Sequence, residues 1–296
     1  MSIHTLQNNS LKLQINEQGA ELTSITDTNT ATEYLWNGDP TYWNRSSPIL
    51  FPGVGSLKNQ SFTYEGQKYS LPHHGFARNM MFTLKEKTDN QIWFSLEATE
   101  ETLKVFPFRF VLELGYQLQD RNIKVMWKVI NQDTSTMYFS IGGHPAFVCP
   151  LNQVGKQNDY YFLFDSQEPL HYMLIDQNAL EVKKPWAEQY ILNTNQGLCP
   201  IDSHMFDLDA LIIEDDQCHS VALVTPEKKP YLTVKFDAPL FGLWSPAGKN
   251  APFICIEPWY GRCDSSDFEG TLEEREWGNS LEADEQFNAS YTIEIA

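Results

Sequence analysis

The chain has 296 residues, 42% of them hydrophobic and 13% aromatic, which suffices for one large globular domain or two average ones. Its 21 Lys and Arg stand against 39 Asp and Glu, a formal net charge of −18 that argues against nucleic acids and anionic membranes as partners. This charge favours a soluble protein with a neutral small-molecule ligand, and a phosphorylated ligand would need a local basic pocket.

Short apolar or alternating segments recur along the whole chain, separated by turn residues. The clearest is 122–130, where apolar and polar residues alternate, and Glu65-Gly66 indicates a hairpin turn within 62–69. Helical periodicity is limited to 99–105 and 270–279. Strands are predicted at 10–15, 21–25, 33–36, 62–69, 81–84, 92–96, 110–116, 122–130, 138–141, 160–164, 171–175, 210–213, 220–224, 231–236, 253–256 and 290–295.

No linker rich in Pro, Gly or Ser, no low-complexity tract and no internal repeat divides these strands. Many short strands with turns between them are typical of antiparallel sandwiches and barrels. We therefore expect an all-β chain in which residues 1–296 form one large antiparallel β-sandwich domain. A barrel is the alternative, since a series of strands does not separate the two.

The sequence gives no sign of export or of a metal centre. The first residues lack a basic region followed by an apolar run, and no apolar stretch approaches the roughly 20 residues that span a bilayer. The five Cys, at 149, 199, 218, 255 and 263, are odd in number and lack CxxC spacing. We expect reduced thiols, a cytoplasmic protein and no metal site.

The stretch FICIEPWYG at 253–261 places one carboxylate inside an apolar, strand-forming segment. Pro258 is expected to end the strand because it has no N–H to donate. Glu257 then lies at the end of a buried strand, where burial would raise its pKa toward the range of a general base. The alternative is a structural Glu that caps the strand or pairs with Arg262.

Two further stretches carry cationic and imidazole groups beside apolar runs. Arg45 precedes the run 48–52, and its fork of donors suits vicinal hydroxyls or a carboxylate. His73, His74 and Arg78 surround Gly75, which allows close backbone approach. Because adjacent side chains of a strand point to opposite faces, at most one of the two His is expected to enter a site. The alternatives are a surface Arg paired with an acid and a loop with hydrogen-bonded His.

Two more polar residues lie at the ends of apolar segments. His144 follows two glycines within IGGHPAF at 141–147, and Asp209 directly precedes the strand predicted at 210–213. A satisfied core His and a turn Asp are the structural alternatives. Together with Glu257 and Arg45, these groups suit acid–base chemistry on a polyol. GxSxG, a phosphate-cradling loop and a dinucleotide fingerprint are missing from the sequence.

Three tryptophans, Trp43, Trp244 and Trp259, flank these stretches. An indole ring offers the flat apolar face on which a sugar ring can stack. Simple core packing is the alternative for each of them taken alone.

Taken in order, the motifs resemble those of the aldose 1-epimerase (galactose mutarotase-like) family, in its branch of LacX-like proteins. They are short, but they occur in the family's order and cover nearly the whole chain. The resemblance implies a large antiparallel β-sandwich, no cofactor, and interconversion of the α and β anomers of a hexose. The motifs are GAELTSI at 19–25, HGFAR at 74–78, GHPAF at 143–147, DALI at 209–212 and CIEPW at 255–259.

The same resemblance assigns roles residue by residue. It implies that Glu257 is the general base, that His144 is the general acid and that His74 helps to bind and polarise the ring oxygen. Arg45 and Asp209 match ligands of the sugar hydroxyls. Arg78 and Trp244 are further candidates for substrate binding.

The chain departs from the mutarotases proper at HHGFAR, 73–78, where those proteins have a His-Gly-Gly turn. This departure leaves the sugar open and brings the chain nearer to hexose-6-phosphate mutarotases, which surround the phosphate with Arg and Lys. Arg78 is available here, although the sequence assembles no clear basic cluster. A sugar-binding or sensing protein without catalysis is the other alternative. The expected partner is a hexose or hexose phosphate, and the protein is expected to be a monomer or a homodimer.

Overall fold

Alternating apolar residues form long antiparallel strands in the computed structural model, which describes residues 2–176, 181–182 and 190–296. The strands are β1 Ile3–Gln7, β2 Leu11–Asn16, β3 Glu21–Asp27, β4 Ile49–Leu50, β5 Ser61–Tyr64, β6 Gln67–Ser70, β7 Thr83–Lys87, β8 Gln91–Glu97, β9 Phe110–Gln119, β10 Asn122–Asn131, β11 Met137–Phe139, β12 Ile141–Gly143, β13 Ala146–Val148, β14 Tyr161–Phe164, β15 Leu170–Tyr172, β16 Ile175–Asp176, β17 Glu181–Val182, β18 Tyr190–Leu192, β19 Leu198–Pro200, β20 Leu211–Ile213, β21 Ser220–Val224, β22 Pro230–Phe236, β23 Leu240–Trp244, β24 Phe253–Tyr260, β25 Asn279–Leu281 and β26 Gln286–Ile295.

Helical structure is short throughout the described residues. The α-helix α1 spans Glu100–Leu103, within the predicted segment 99–105, and Thr99 caps its N-terminus. Single 3₁₀ turns occupy Lys58–Gln60, Ala77–Asn79, Leu151–Gln153 and Gln157–Asp159. None of the described helices is long and apolar enough to cross a membrane.

Two large sheets contribute most of the architecture. The first has nine strands in the order β19-β14-β21-β22-β26-β10-β9-β8-β7, and the second has the order β20-β23-β24-β12-β4, with β13 also paired to β24. The strand pairs of both sheets are antiparallel in the described residues. A third sheet consists of β1-β2-β3. The all-β, antiparallel architecture predicted from the sequence is confirmed.

Side chains from both large sheets meet in one hydrophobic core. On β10, Val125 and Trp127 are buried and face this core, while Lys124 points outward to solvent. Ile254 and Ile256 of β24 reach the same core from the second sheet. Burying an aliphatic side chain of this kind stabilises the fold by roughly 1.5–3 kcal/mol. Alternation places these side chains on one face of each strand, and that face packs inward.

Three local predictions are wrong. Residues 270–279, where helical periodicity was noted, contain turns and bends but no helix, and β25 begins at Asn279. Residues 33–36 form only isolated bridges, Thr26 to Glu33 and Leu35 to Phe147, rather than a strand. Pro258 does not end β24, which continues to Tyr260. On one side of β24 the partners are β13, up to Cys255, and β12, from Trp259. Between them the Ile256 N–H donates to Pro145 O at 3.3 Å, and Glu257 and Pro258 face the gap between the two partners. The missing N–H of Pro258 therefore costs no bond of a strand ladder on that side.

Candidate active site

β24 presents two different sets of side chains to its two faces. Ile254 and Ile256 enter the main core, whereas Phe253 and Cys255 pack in a separate cluster on the opposite face. Alternation puts Glu257 on this second face, where it is only 1% exposed. A carboxylate is thus held inside the protein by a regular strand whose neighbours fix its position.

Tryptophan 259, two residues further along β24, lies flat across the neighbouring strands. A Cβ on Gly142 would lie 2.5 Å from Trp259 Cδ1, and a Cβ on Gly242 would lie 2.6 Å from Trp259 Cη2. Gly142 is paired with Trp259 on β12, and Gly242 is paired with Glu257 on β23. The two glycines therefore make room for the indole ring beside the buried carboxylate.

His144 lies between β12 and β13, opposite the gap beside Glu257. Its backbone N–H donates to Pro48 O at 3.1 Å. Its imidazole stacks on Trp43, with ring centroids 4.6 Å apart, and meets the edge of Trp244 at 5.4 Å. Nε2 of His144 lies 3.3 Å from Oε2 of Glu257. The crossover between two short strands thus brings an imidazole against the carboxyl group.

His74 is held with its ring perpendicular to His144, centroids 5.6 Å apart. Its Nδ1 accepts a hydrogen bond from the Gly55 N–H at 3.0 Å. Because a backbone N–H can only donate, Nδ1 carries no proton and the proton of neutral His74 is on Nε2. Burial first, and then the charges of His73, His144 and Arg78, lower the pKa of His74 well below its usual value. His74 is therefore a neutral donor through Nε2.

The prediction that only one of His73 and His74 enters the site is wrong, because both line the same cavity. The backbone of His74 is left-handed, with φ +63, so the alternation of a strand does not apply. The two rings are 3.7 Å apart, and Nδ1 of His73 is 2.8 Å from Ser56 Oγ. Burial and the charge of Arg78 lower the pKa of His73 to about 4.

Gly75 fixes the turn that carries His74, and its replacement by Ala tests how much the site depends on it. Gly75 has φ +68, and a Cβ there would lie 2.2 Å from Phe51 O. We expect Gly75→Ala to lower the free energy of unfolding by about 2–5 kcal/mol, from left-handed strain of about 1–2 and overpacking of about 1–3. Urea denaturation measures this loss.

Gly66→Ala is the matched control for that measurement. Gly66 has φ +74, but a Cβ there would meet nothing within 4 Å, so this variant carries the strain without the collision. Equal losses of stability in the two variants would contradict the close approach at Gly75.

Arg45 is positioned by a buried acid. Glu21 Oε1 accepts the Ser46 N–H at 2.7 Å, and Glu21 Oε2 lies 3.5 Å from Arg45 Nη1. Nη1 of Arg45 also donates to Arg78 O at 3.1 Å, and its Nη2 donates to Asn79 Oδ1. These contacts leave Arg45 in one orientation at the edge of the site.

Asp209 approaches from the loop before β20. Its backbone is left-handed, with φ +76, and its Oδ1 accepts the Ala210 N–H at 2.8 Å. Burial raises the pKa of Asp209 above its usual value. The negative charge of Asp209 in turn helps to raise the pKa of Glu257.

All seven residues predicted for the site line one cavity of about 330 Å³, at the small end of the range for small-molecule sites. These are Arg45, His74, Arg78, His144, Asp209, Trp244 and Glu257. Trp43 and Trp259, considered as stacking faces, also line it. Sequence reasoning did not identify the other lining residues, which are Asn44, Val54, Gly55, Ile175, Ala210, Ile212 and Cys263. Asn44 could have been found as the neighbour of Arg45, whereas nothing in the sequence marks Ile175.

Burial shifts the pKa values of Glu257 and His144 in opposite directions. It raises the pKa of Glu257 well above the usual 4.5, and the charge of Asp209 adds to this effect. It lowers the pKa of His144 well below the usual 6.5, and the charge of Arg78 adds to that effect. Both shifts favour the uncharged forms, a protonated carboxyl group and a neutral imidazole.

Unsatisfied polar atoms concentrate in this cavity. Among the described residues, five buried side-chain atoms lack a hydrogen-bond partner, and four belong to Arg78 (Nε), His144 (Nδ1), Glu257 (Oε2) and Trp259 (Nε1). Unpaired buried polar groups cost about 1–3 kcal/mol each. Their concentration in one place indicates a surface built to bind a polar ligand.

His144, Cys255 and Glu257 also offer one ligand atom each within 4.8 Å of one another. The Cys255 thiol is fully buried, and burial raises its pKa well above the usual value. A thiol binds a metal ion as the thiolate, the form that burial disfavours at Cys255.

The comparisons with known proteins agree with this geometry. Residues 2–271 match the family model of aldose 1-epimerases. The plasmid-encoded LacX protein of Lactococcus lactis subsp. lactis is 35% identical over 281 residues, which cover 91% of each chain. The structure of a galactose mutarotase related enzyme from Lactobacillus acidophilus matches with a TM-score of 0.93 at 33% identity, covering 100% of this chain and 97% of that one.

A galactose mutarotase-like protein from Lactobacillus casei matches with a TM-score of 0.89 at 29% identity, with both chains covered in full. The fold predicted from the sequence, a galactose mutarotase-like β-sandwich, is confirmed by these neighbours. Since the family model covers most of the chain and the LacX relative covers nearly all of it, this chain belongs to the aldose 1-epimerase family.

Proposed function

We propose that the protein interconverts the α and β anomers of a hexose by acid–base ring opening. The observation that carries this proposal is the pair His144 and Glu257, whose Nε2 and Oε2 lie 3.3 Å apart in a cavity of about 330 Å³. Ring opening requires one group that accepts a proton and one that donates a proton. A buried carboxyl group and an imidazole that share one proton provide both.

As the sugar binds, the proton of the Glu257 carboxyl group passes to Nε2 of His144, which lies 3.3 Å from Oε2. In the opening step, ionised Glu257 then accepts the proton of the C1 hydroxyl while protonated His144 donates to the ring oxygen. The C1–O5 bond breaks, C1–O1 becomes a carbonyl, and the open-chain aldehyde forms. The step leaves the carboxyl group protonated and the imidazole neutral, which is the form that burial favours. Each group contributes a factor of roughly 10²–10⁴ to the rate.

Ring closure starts from this state, with Glu257 protonated and His144 neutral. Rotation about C1–C2 presents the other face of the aldehyde to the C5 hydroxyl. His144 then takes the proton of that hydroxyl as Glu257 returns its proton to O1. The pair is restored, so the cycle has no net proton change and draws on protein groups alone.

The remaining groups hold the ring in place for this exchange. His74 donates through Nε2, which suits the ring oxygen, and Arg45 and Asp209 are placed to bind hydroxyls. Trp43 and Trp259 offer flat apolar faces for the sugar ring. Because a near-attack arrangement lowers the barrier strongly, we expect these groups to act by orientation.

NMR exchange spectroscopy tests the proposal against a protein that binds sugar without turning it over. Cross-peaks between the α and β anomers of glucose or galactose should grow faster with protein than without it. Calorimetric binding of either sugar with no gain in exchange rate would favour the sugar-binding protein and contradict the proposed reaction.

The rate should depend on pH through the single shared proton. Because the pKa of His144 is lowered, a second proton enters the pair only below its usual 6.5, so the acid limb of kcat/KM should lie below pH 6.5. Because the pKa of Glu257 is raised well above its usual 4.5, the proton of the pair is lost only well above pH 4.5. Activity should fall only where that proton is lost at higher pH.

This profile is measured after subtraction of the uncatalysed rate at each pH. An acid limb above pH 6.5 would show that His144 is charged in the free protein and would contradict the shared-proton arrangement.

A further inference from the structure

The thiol of Cys255 lies beside the pair His144 and Glu257. Cys255 and Glu257 are two residues apart on β24, so alternation turns both side chains to the same face of the strand. His144 comes from the crossover between β12 and β13, and one ligand atom of each of the three residues lies within 4.8 Å of the other two. All three side chains are buried. Strand pairing therefore holds a sulfur, a nitrogen and an oxygen ligand in one place.

The separation of the nitrogen and the oxygen matches that of two ligands on one zinc ion. Zinc bonds of roughly 2.0–2.2 Å at tetrahedral angles put a nitrogen and an oxygen ligand roughly 3.3–3.5 Å apart. Nε2 of His144 and Oε2 of Glu257 are 3.3 Å apart. A zinc-bound sulfur lies roughly 3.5–3.7 Å from such atoms, so the Cys255 thiol, within 4.8 Å, has to approach them by at most about 1.3 Å.

Other protein groups do not compete with an ion for these side chains. Oε2 of Glu257 and Nδ1 of His144 are buried and have no hydrogen-bond partner. Unpaired buried polar groups are costly, and a bound cation would satisfy the carboxylate directly. The cavity of about 330 Å³ beside the pair leaves room for the water that completes a tetrahedral zinc site with three protein ligands.

The chemistry of the three ligands favours zinc among the common divalent ions. Thiolate sulfur and imidazole nitrogen suit Zn²⁺, whereas Mg²⁺ and Ca²⁺ prefer oxygen ligands. The thiolate of Cys255 and the carboxylate of Glu257 together balance the two charges of the ion, as a buried site requires. Binding releases the thiol proton and the carboxyl proton to the solvent, and the charge of the ion offsets the cost of burying both anions.

We propose that His144, Cys255 and Glu257 bind Zn²⁺ and that the bound ion blocks ring opening. The ion occupies Nε2 and Oε2, the two atoms between which the proton moves, so the acid and the base are both lost. Zinc is then an inhibitor and not a cofactor. The metal site goes beyond the proposed function, whereas the inhibition rests on it. The expectation of no metal site considered spacing along the chain, and strand pairing brings these ligands together instead.

Calorimetry with ZnCl₂ tests the site on protein that has been treated with EDTA and then freed of it. We expect one equivalent to bind to the wild type. Cys255→Ser and Cys255→Ala should weaken this binding by more than about 10- to 100-fold, the loss caused by removing a mere outer-shell partner of a ligand. Cys149→Ser is the matched control, because Cys149 is also buried but lies outside the cavity, and it should keep the wild-type affinity.

Cobalt(II) in place of zinc identifies the ligands. A cobalt–thiolate bond gives a charge-transfer band in the near ultraviolet, which cobalt bound by nitrogen and oxygen alone does not show. The band should form in the wild type and in Cys149→Ser, and it should be missing from Cys255→Ala. Binding at a surface site, such as the exposed pair His204 and Asp207, would lack the band and survive in Cys255→Ala.

Rates of anomeric exchange, measured by NMR with and without saturating Zn²⁺, test the inhibition. The ratio of the two rates is compared within each protein, so any effect of a substitution on the basal rate cancels. In the wild type and in Cys149→Ser, zinc should lower the rate by about 10²–10⁴-fold, the contribution of a positioned acid or base, and EDTA should restore it. The same concentration of Mg²⁺ should leave the rate unchanged, and Cys255→Ala should resist zinc.

Three results would overturn the inference. The site is refuted if the wild type binds no zinc, or if Cys255→Ala keeps both the affinity and the charge-transfer band. Zinc bound at Cys255 without any loss of exchange rate would contradict the inhibition. If the protein exchanges no sugar, the proposed function fails separately, and calorimetry and the cobalt spectrum still decide whether the metal site exists.

Discussion

Glu257→Gln is expected to lower kcat by about 10²–10⁴-fold, the contribution of a positioned general base. Gln has nearly the same shape as Glu, but it cannot accept the proton of the C1 hydroxyl. Glu257 is 1% exposed on a regular strand, so the amide should occupy the same place. Initial rates of anomeric exchange measure the loss, and calorimetry shows whether sugar binding is retained.

The same substitution should not destabilise the fold. The native state raises the pKa of Glu257 above its unfolded value of about 4.5, so above that pH ionisation of the buried group works against folding. Gln removes this cost, and the Tm of Glu257→Gln at pH 8 should equal or exceed that of the wild type.

Glu113→Gln is the matched control for Glu257→Gln. Glu113 is also buried, but it lies on β9 and forms ion pairs with Lys85 and Lys128. Its substitution should lower Tm and leave the exchange rate near that of the wild type. The opposite pattern, in which Glu257→Gln unfolds the protein or keeps near-normal turnover, would contradict the assignment of Glu257 as the base.

His144→Asn is expected to cause a loss of similar size, about 10²–10⁴-fold in kcat, because Asn cannot carry the proton to the ring oxygen. The double variant with Glu257→Gln should be little slower than either single variant. Residues that act as one unit show such strong non-additivity, and the two groups share one proton across 3.3 Å. Kinetics of the three variants measure the coupling.

His4→Asn provides the control for His144→Asn. His4 is partly buried and lies 3.0 Å from Glu17, so it has the same kind of imidazole–carboxylate contact outside the cavity. Its loss should leave turnover unchanged. Two fully additive losses in the His144 and Glu257 variants would show that the two residues act independently, which would contradict the shared-proton mechanism.

The long strands could be predicted because apolar and polar side chains alternate along them, facing the core and the solvent in turn. β10 alternates between core and solvent along its full length, and the sequence shows this directly. Pro258 was misjudged because the rule that Pro ends a ladder depends on what lies beside the strand. Here the neighbour is a gap between β12 and β13, and the sequence contains no information on that register.

The residues that line the site could be predicted from the sequence, whereas their arrangement in space could not. Motifs in family order contain five of the seven predicted residues that the fold brings to one cavity, and Arg45 and Trp244 were predicted from their residue type and neighbours. The paired entry of His73 and His74 was missed because it depends on a left-handed backbone at His74. The close contact of His144 with Glu257 also depends on long-range strand pairing, which follows from the whole fold and not from local sequence.

Polarimetry of freshly dissolved α-D-glucose and α-D-galactose tests the central claim most directly, with wild type and Glu257→Gln at equal concentration. The account predicts faster approach to anomeric equilibrium with the wild type and a rate close to the uncatalysed one with the variant. Equal acceleration by both proteins, or no acceleration by the wild type with these sugars or their 6-phosphates, would contradict it.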